Sequence, residues 1–221
     1  RSFADDRLSF GVAAEMPAVS GTYGEGFEPI PQRVPDIPAY IQYAWGPERS
    51  SHLRASVVLR DMYLHNLRTA ENTSLLGWGV QLSGTIRCCR AFRMFMNGVY
   101  GKGITPYIQD LTGAGLDFTP DPRNAAYIQT MPMWGWQAAG QFSLTRRLTL
   151  SGGYSTVRIQ RSHGFYADDE YKRGQYIFGN LFYALTPRCT LAAEYLYGSR
   201  RNMSDAENHA NRVNVMLQYT F

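Results

Sequence analysis

Ten stretches of this chain alternate apolar and polar residues with a period of two: Leu8–Met16, Ala39–Trp45, His52–His65, Leu75–Arg87, Phe92–Lys102, Met133–Leu144, Leu148–Arg158, Gln175–Leu185, Thr190–Ser199 and Ala210–Phe221. Such alternation marks a strand whose two faces meet different surroundings. In the last stretch Val213, Val215, Leu217, Tyr219 and Phe221 share one parity, and Arg212, Asn214, Met216, Gln218 and Thr220 fall on the other. Several stretches exceed the roughly five or six residues of an ordinary strand and reach the roughly 9–11 of a tilted membrane strand. The connections alternate too. Short turns (GPERSS, CCRA, TRR, TPR) take turns with long segments at 17–38, 66–74, 103–132, 160–174 and 200–209. Short turns on one rim and long loops on the other are the rhythm of an outer-membrane barrel. The expected fold is therefore all-β: one transmembrane antiparallel barrel domain over residues 1–221, with ten strands visible.

The two parities differ in kind. One carries Leu53, Ala55, Val57 and Leu59, then Trp78, Val80 and Leu82, then Trp134, Trp136 and Ala138. The other carries Arg54, Arg60, Gln81, Ser83, Asn97, Gln137, Asn180 and Glu194. A soluble sandwich would have to build its core from the Gly- and Ala-rich apolar parity. A barrel instead turns that parity to lipid and the polar one to a wet lumen, which places Val57 and Leu82 against acyl chains. The aromatics form two belts, as the two bilayer interfaces require. Trp45, Phe92, Phe142, Tyr183, Tyr219 and Phe221 lie near the short turns. Trp78, Tyr100, Trp134, Trp136, Tyr154, Tyr195 and Tyr197 lie near the long loops.

Composition removes other classes. Mean hydropathy is −0.32, and no apolar run approaches the roughly 18 residues of a membrane helix. Net charge is +4, but the arginines are scattered with no basic block, so no nucleic-acid partner is expected. Cys88, Cys89 and Cys189 match no zinc spacing and make no disulfide framework. The chain opens at Arg1 without an apolar leader, which for an exported protein reads as a mature or truncated start.

The C-terminal run TPRCTLAAEYLYGSRRNMSDAENHANRVNVMLQYTF resembles the end of the DcaP-like porins. Upstream, PDIPAYIQYAW, HLRASVVLRDM, GWGVQLSG, YGKGITPYIQDLTGAGLD and SGGYSTVR follow in that family's order, from about Pro35 to Phe221. The resemblance implies a homotrimeric, 16-stranded diffusion porin of the Gram-negative outer membrane, passing small and preferentially anionic solutes. It also implies about six further strands. Leu8–Met16 is accordingly expected to meet additional strands rather than Ala210–Phe221.

No catalytic motif is present, and no cofactor or metal is expected. The acids Asp110, Asp117 and Asp121 match no EF-hand spacing. Loop residues His163, His209, Asp168, Asp169 and Asp205 leave one enzymatic alternative, a protease or other loop-top enzyme on a ten-stranded barrel. A further alternative is a structural subunit of an outer-membrane assembly. The more informative chemistry is the lumen parity, where Arg54, Arg60, Arg87, Arg93 and Arg212 stand against Glu15 and Glu194. Guanidinium groups stay charged and fit carboxylate and phosphate, and rings of Arg select anions. Asp110 and Asp117, in the long 103–132 connection, are expected at the pore mouth. Arg158 falls on the outward parity near the loop edge, within reach of lipid or lipopolysaccharide headgroups.

Overall fold

The computed structural model of the chain describes residues 2–3, 7–121, 123–160 and 166–221. The strands are β1 (Ser2–Phe3), β2 (Leu8–Val12), β3 (Phe27–Pro29), β4 (Ile37–Trp45), β5 (Ser51–Asn66), β6 (Glu71–Arg87), β7 (Phe92–Lys102), β8 (Phe118–Asp121), β9 (Asn124–Thr130), β10 (Pro132–Ser143), β11 (Leu148–Ile159), β12 (Tyr171–Thr186), β13 (Cys189–Asn202) and β14 (Glu207–Tyr219). All ten alternating stretches are strands of one antiparallel sheet, in the order β1-β2-β4-β5-β6-β7-β10-β11-β12-β13-β14, with β3 beside β5. Among the described residues the sheet does not close. Val12 pairs with Ala39, and Val215 with Ala193, so β2 and β14 are not neighbours.

Two expected long connections are shorter than their sequence ranges. β5 and β6 run on until only residues 67–70 join them, in place of 66–74. β13 and β14 do the same, leaving 203–206 in place of 200–209. The extra residues are polar on both faces, so alternation fades there, while the backbone ladder continues into extended hairpins. Part of the 160–174 connection, including His163, lies outside the described residues.

The apolar parity covers the outer face. Val57 is 42% exposed and Leu82 53%, as lipid-facing side chains must be in a barrel wall. Paired aromatic rings, one pair within β4 and the others across strands, stand at both ends of this face. Tyr43 with Trp45 and Phe92 with Phe142 lie near the short turns; Trp78 with Tyr100 and Trp136 with Tyr154 lie near the long connections.

The chain's main core lies on the opposite, inner face. There residues 103–131 fold back against the wall through two single 3₁₀ turns (Thr105–Tyr107, Gln109–Leu111) and the β8–β9 hairpin. Ile104, Ile108, Leu111, Leu116 and Met131 from this segment pack with Val58, Met133 and Ile159 from the wall. The close approach depends on wall glycines. A Cβ on Gly79 would come within 2.9 Å of Ile104, and one on Gly101 within 2.7 Å of Ile104 and 2.3 Å of the Trp78 carbonyl. Gly103, at φ +64°, turns the chain inward, a conformation that costs glycine little.

Candidate functional site

Register gathers the inner-face polar groups into rows. Gln42, Arg54, Ser83, Asn97, Gln137 and Ser155 are successive cross-strand partners. Nearer the short turns, Arg87, Arg93, Gln141, Ser151, Asn180, Glu194 and Asn214 form another row. Residues on one parity meet in this way because each strand holds its partner opposite, with side chains on a common face.

The arginines fare differently within this frame. Arg54 donates to Gln42 Oε1 at 2.9 Å and lies 4.3 Å over the Tyr40 ring, which fixes its fork on the wall. Arg87 and Arg93 face each other across β6 and β7, both exposed. Arg212 is exposed and donates to Asn214 Oδ1 at 2.8 Å. Asn214 in turn donates to Glu194 Oε1 at 2.8 Å, and Asn180, with its amide turned to satisfy both ends, donates to Glu194 Oε2 at 3.0 Å. Glu194 is thus screened by neutral amides rather than by a cation.

Arg60 does not line open space. It is on the inner parity, but the inserted segment covers it and leaves it 1% exposed. Its Nε donates to Asp36 Oδ2 (2.9 Å), Nη1 to the Gly103 carbonyl (2.6 Å) and Asp117 Oδ1 (3.1 Å), and Nη2 to the Ala18 carbonyl (2.9 Å). Asp117, expected at the mouth, is fully buried, and it also accepts from the Thr105 amide (3.0 Å) and the Ser20 amide (3.1 Å). Parity says which face a side chain takes but not what later folds over it. Arg60 therefore ties two connections to β5: the one before β4 and the one after β7.

Glu15 and Asp110 remain accessible. Glu15 is exposed and accepts from the Tyr107 hydroxyl at 3.0 Å; Asp36 lies 3.1 Å from the same oxygen. Burial, then the charges of Asp36 and Glu15, push the Tyr107 phenol far above its ordinary value. Asp110 is exposed at the lip of a recess of about 320 Å³, formed by the inserted turns and wall residues Gln81, Asn97, Gln137 and Ser155. Withdrawal of water by the adjoining wall raises its carboxyl pKa, and a bond to Tyr171 partly opposes the rise.

One inner-face cation was not among the sequence candidates. Arg200 pairs with Gly174 on the inner parity, stacks 5.6 Å over Tyr171, and donates to the Asp169 carbonyl at 3.0 Å. Its signal was present, since the inner parity continues one residue past the expected strand end at Ser199. The loop-top alternative finds no assembled constellation among the described residues. His209 stacks on Tyr197 at 6.1 Å, Asp205 pairs with Lys172, and the Asp168 carbonyl accepts from Ser204. Cys88 and Cys89 are exposed free thiols in the turn between β6 and β7, and Cys189 is a free thiol at the turn between β12 and β13.

No protein-family model matches the chain, and no curated protein matches it. Solved structures do. The outer-membrane channel DcaP of Acinetobacter baumannii aligns at 18% identity with a TM-score of 0.78, over 97% of this chain and 59% of that one. The NanC porin aligns at 12% identity with a TM-score of 0.48, over 97% of this chain and 94% of that one. The likeness to DcaP is one of fold: this open antiparallel sheet has the architecture of part of an outer-membrane channel's barrel. The motif resemblance to DcaP-like porins is supported at that level, and the chain spans 59% of that channel's length.

Proposed function

We propose that this chain forms part of an outer-membrane porin that passes small, preferentially anionic solutes down their gradient, with no covalent step. The observation that carries the reading is the set of inner-face arginines. Arg54, Arg87, Arg93, Arg200 and Arg212 stand against the accessible acids Glu15, Glu194 and Asp110. Five cations stand against three carboxylates, and the buried cluster of Arg60 with Asp36 and Asp117 carries one negative charge more, which still leaves the wall positive by one. A confined lumen with low-dielectric walls focuses such a potential and concentrates anions. The inserted 103–131 segment supplies the narrowing at which that potential is sampled. The homotrimer implied by the motif resemblance belongs to the same reading.

The test is ion preference in planar bilayers. Arg54→Gln, Arg93→Gln and Arg212→Gln together should move the reversal potential toward cations, most at low salt where screening is weakest. A triple variant that keeps the parent's preference would mean that these arginines do not govern permeation.

A further inference from the structure

Two hydrogen-bonded rows on the outer face change character in the same order. One runs Ile37, Leu59, Trp78, Lys102. The other runs Ala39, Val57, Val80, Tyr100, Trp134, Arg158, Arg173, Arg201 and then Glu207. Each passes from aliphatic through aromatic to cationic. Barrel strands tilt by roughly 35–45° and lie about 4.8 Å apart, so a row climbs about 3 Å per strand. The order of residue types is that met on leaving hydrocarbon through the interface. The cations therefore stand just beyond the aromatic belt, at headgroup depth.

Their mutual placement is costly without a partner. Arg158 is directly opposite Arg173, and Arg173 directly opposite Arg201. Like charges in opposed positions destabilise a sheet. Glu207 bonds Arg201 and lies 3.7 Å from Arg173, which leaves Arg158 exposed with no carboxylate in its row position. Three guanidinium groups on adjacent strands span about 10 Å, the scale of a phosphorylated headgroup, and guanidinium forks match phosphate oxygens.

We propose that Lys102, Arg158, Arg173 and Arg201 form an outer-face girdle that binds the phosphate groups of a phosphorylated glycolipid in the outer leaflet. The proposal rests on the membrane-barrel reading but not on conduction or anion preference. The full chain in detergent is titrated with bisphosphorylated lipid A, with the same lipid after dephosphorylation, and with inorganic phosphate, and bound lipid is read by native mass spectrometry. The parent should bind the phosphorylated lipid best. Arg158→Gln with Arg173→Gln should weaken that binding about tenfold or more while leaving ion preference unchanged. Arg93→Gln, on the inner face, should do the reverse. Should the double variant fold poorly, Arg158→Gln alone serves, since Arg158 stands outside the Glu207 ion pairs. Equal binding of both lipids, or undiminished binding by the variant, would overturn the proposal. So would millimolar inorganic phosphate displacing the lipid, which would mark a free-anion site.

Discussion

Arg60 and Asp117 stand 3.1 Å apart with both side chains closed off from solvent, and together they bind the inserted segment to β5. Asp117→Ala leaves Arg60 its bond to Asp36 but takes the acceptor from the Thr105 and Ser20 amides, and each buried donor left unmet costs about 1–3 kcal/mol, a few kcal/mol in all. Asp117→Ala should therefore lower unfolding stability by about that amount and loosen the 103–131 segment. Single-channel conductance should rise and become noisier. A variant with the parent's stability and conductance would show that the pair does not hold the segment in place.

Gly101 allows a second, independent test of the same segment. A Cβ there meets the Trp78 carbonyl and Ile104 well inside van der Waals contact, so Gly101→Val must displace either backbone or segment. Such overpacking costs about 1–3 kcal/mol. Protease accessibility of the segment should increase, whereas Gly98→Val, with open space around it, should change little. Equal behaviour of the two would refute the glycine seat.

The register of the wall predicts an asymmetry between adjacent rows. Arg placed on a lipid face at mid-depth costs about 2–4 kcal/mol, and lumen replacements cost little. Val57→Arg should depress measured folding into bilayers, and Gln81→Arg, on the neighbouring inner row, should barely do so. Similar losses at both sites would mean the faces are misassigned.

On the porin reading, Asp110 should give ion preference a pH dependence. The adjoining wall withholds water from its carboxyl and raises the pKa, so on acidification from neutral it takes up a proton before an ordinary aspartate does. One negative charge then leaves the lip of the recess, and anion preference should increase as pH falls through that raised value. Stability follows the same sign. The fold disfavours the charged form, so the penalty is absent below the unfolded-state pKa and appears as pH rises through the folded one. Asp110→Asn should abolish this component of the reversal-potential titration; if the titration is unchanged, another group is responsible.

The strands were legible because lipid and lumen impose opposite chemistries on alternate residues, as from Leu53 to Leu59 or from Val213 to Phe221. The β8–β9 hairpin was not, because FTPDPRNAAYIQT breaks its alternation with prolines and packs on the wall rather than between two media. Arg60 read as a lumen residue for a related reason. Its parity is that of Arg54, and only the three-dimensional return of residues 103–131 distinguishes the two. Arg200 was lost to a strand end drawn one residue early, where polar neighbours blur the boundary.

β14 has β13 on one side, and among the described residues no strand on the other. Val213, Val215 and Leu217 on it are each more than two-thirds exposed. Amides along an unmatched edge tolerate water, but each one left bare in hydrocarbon costs several kcal/mol. This makes entry into the bilayer and lateral closure one event rather than two: a half-finished wall cannot wait in lipid for its last neighbour. Whatever strand meets β14 must be in register with it before the apolar face leaves water.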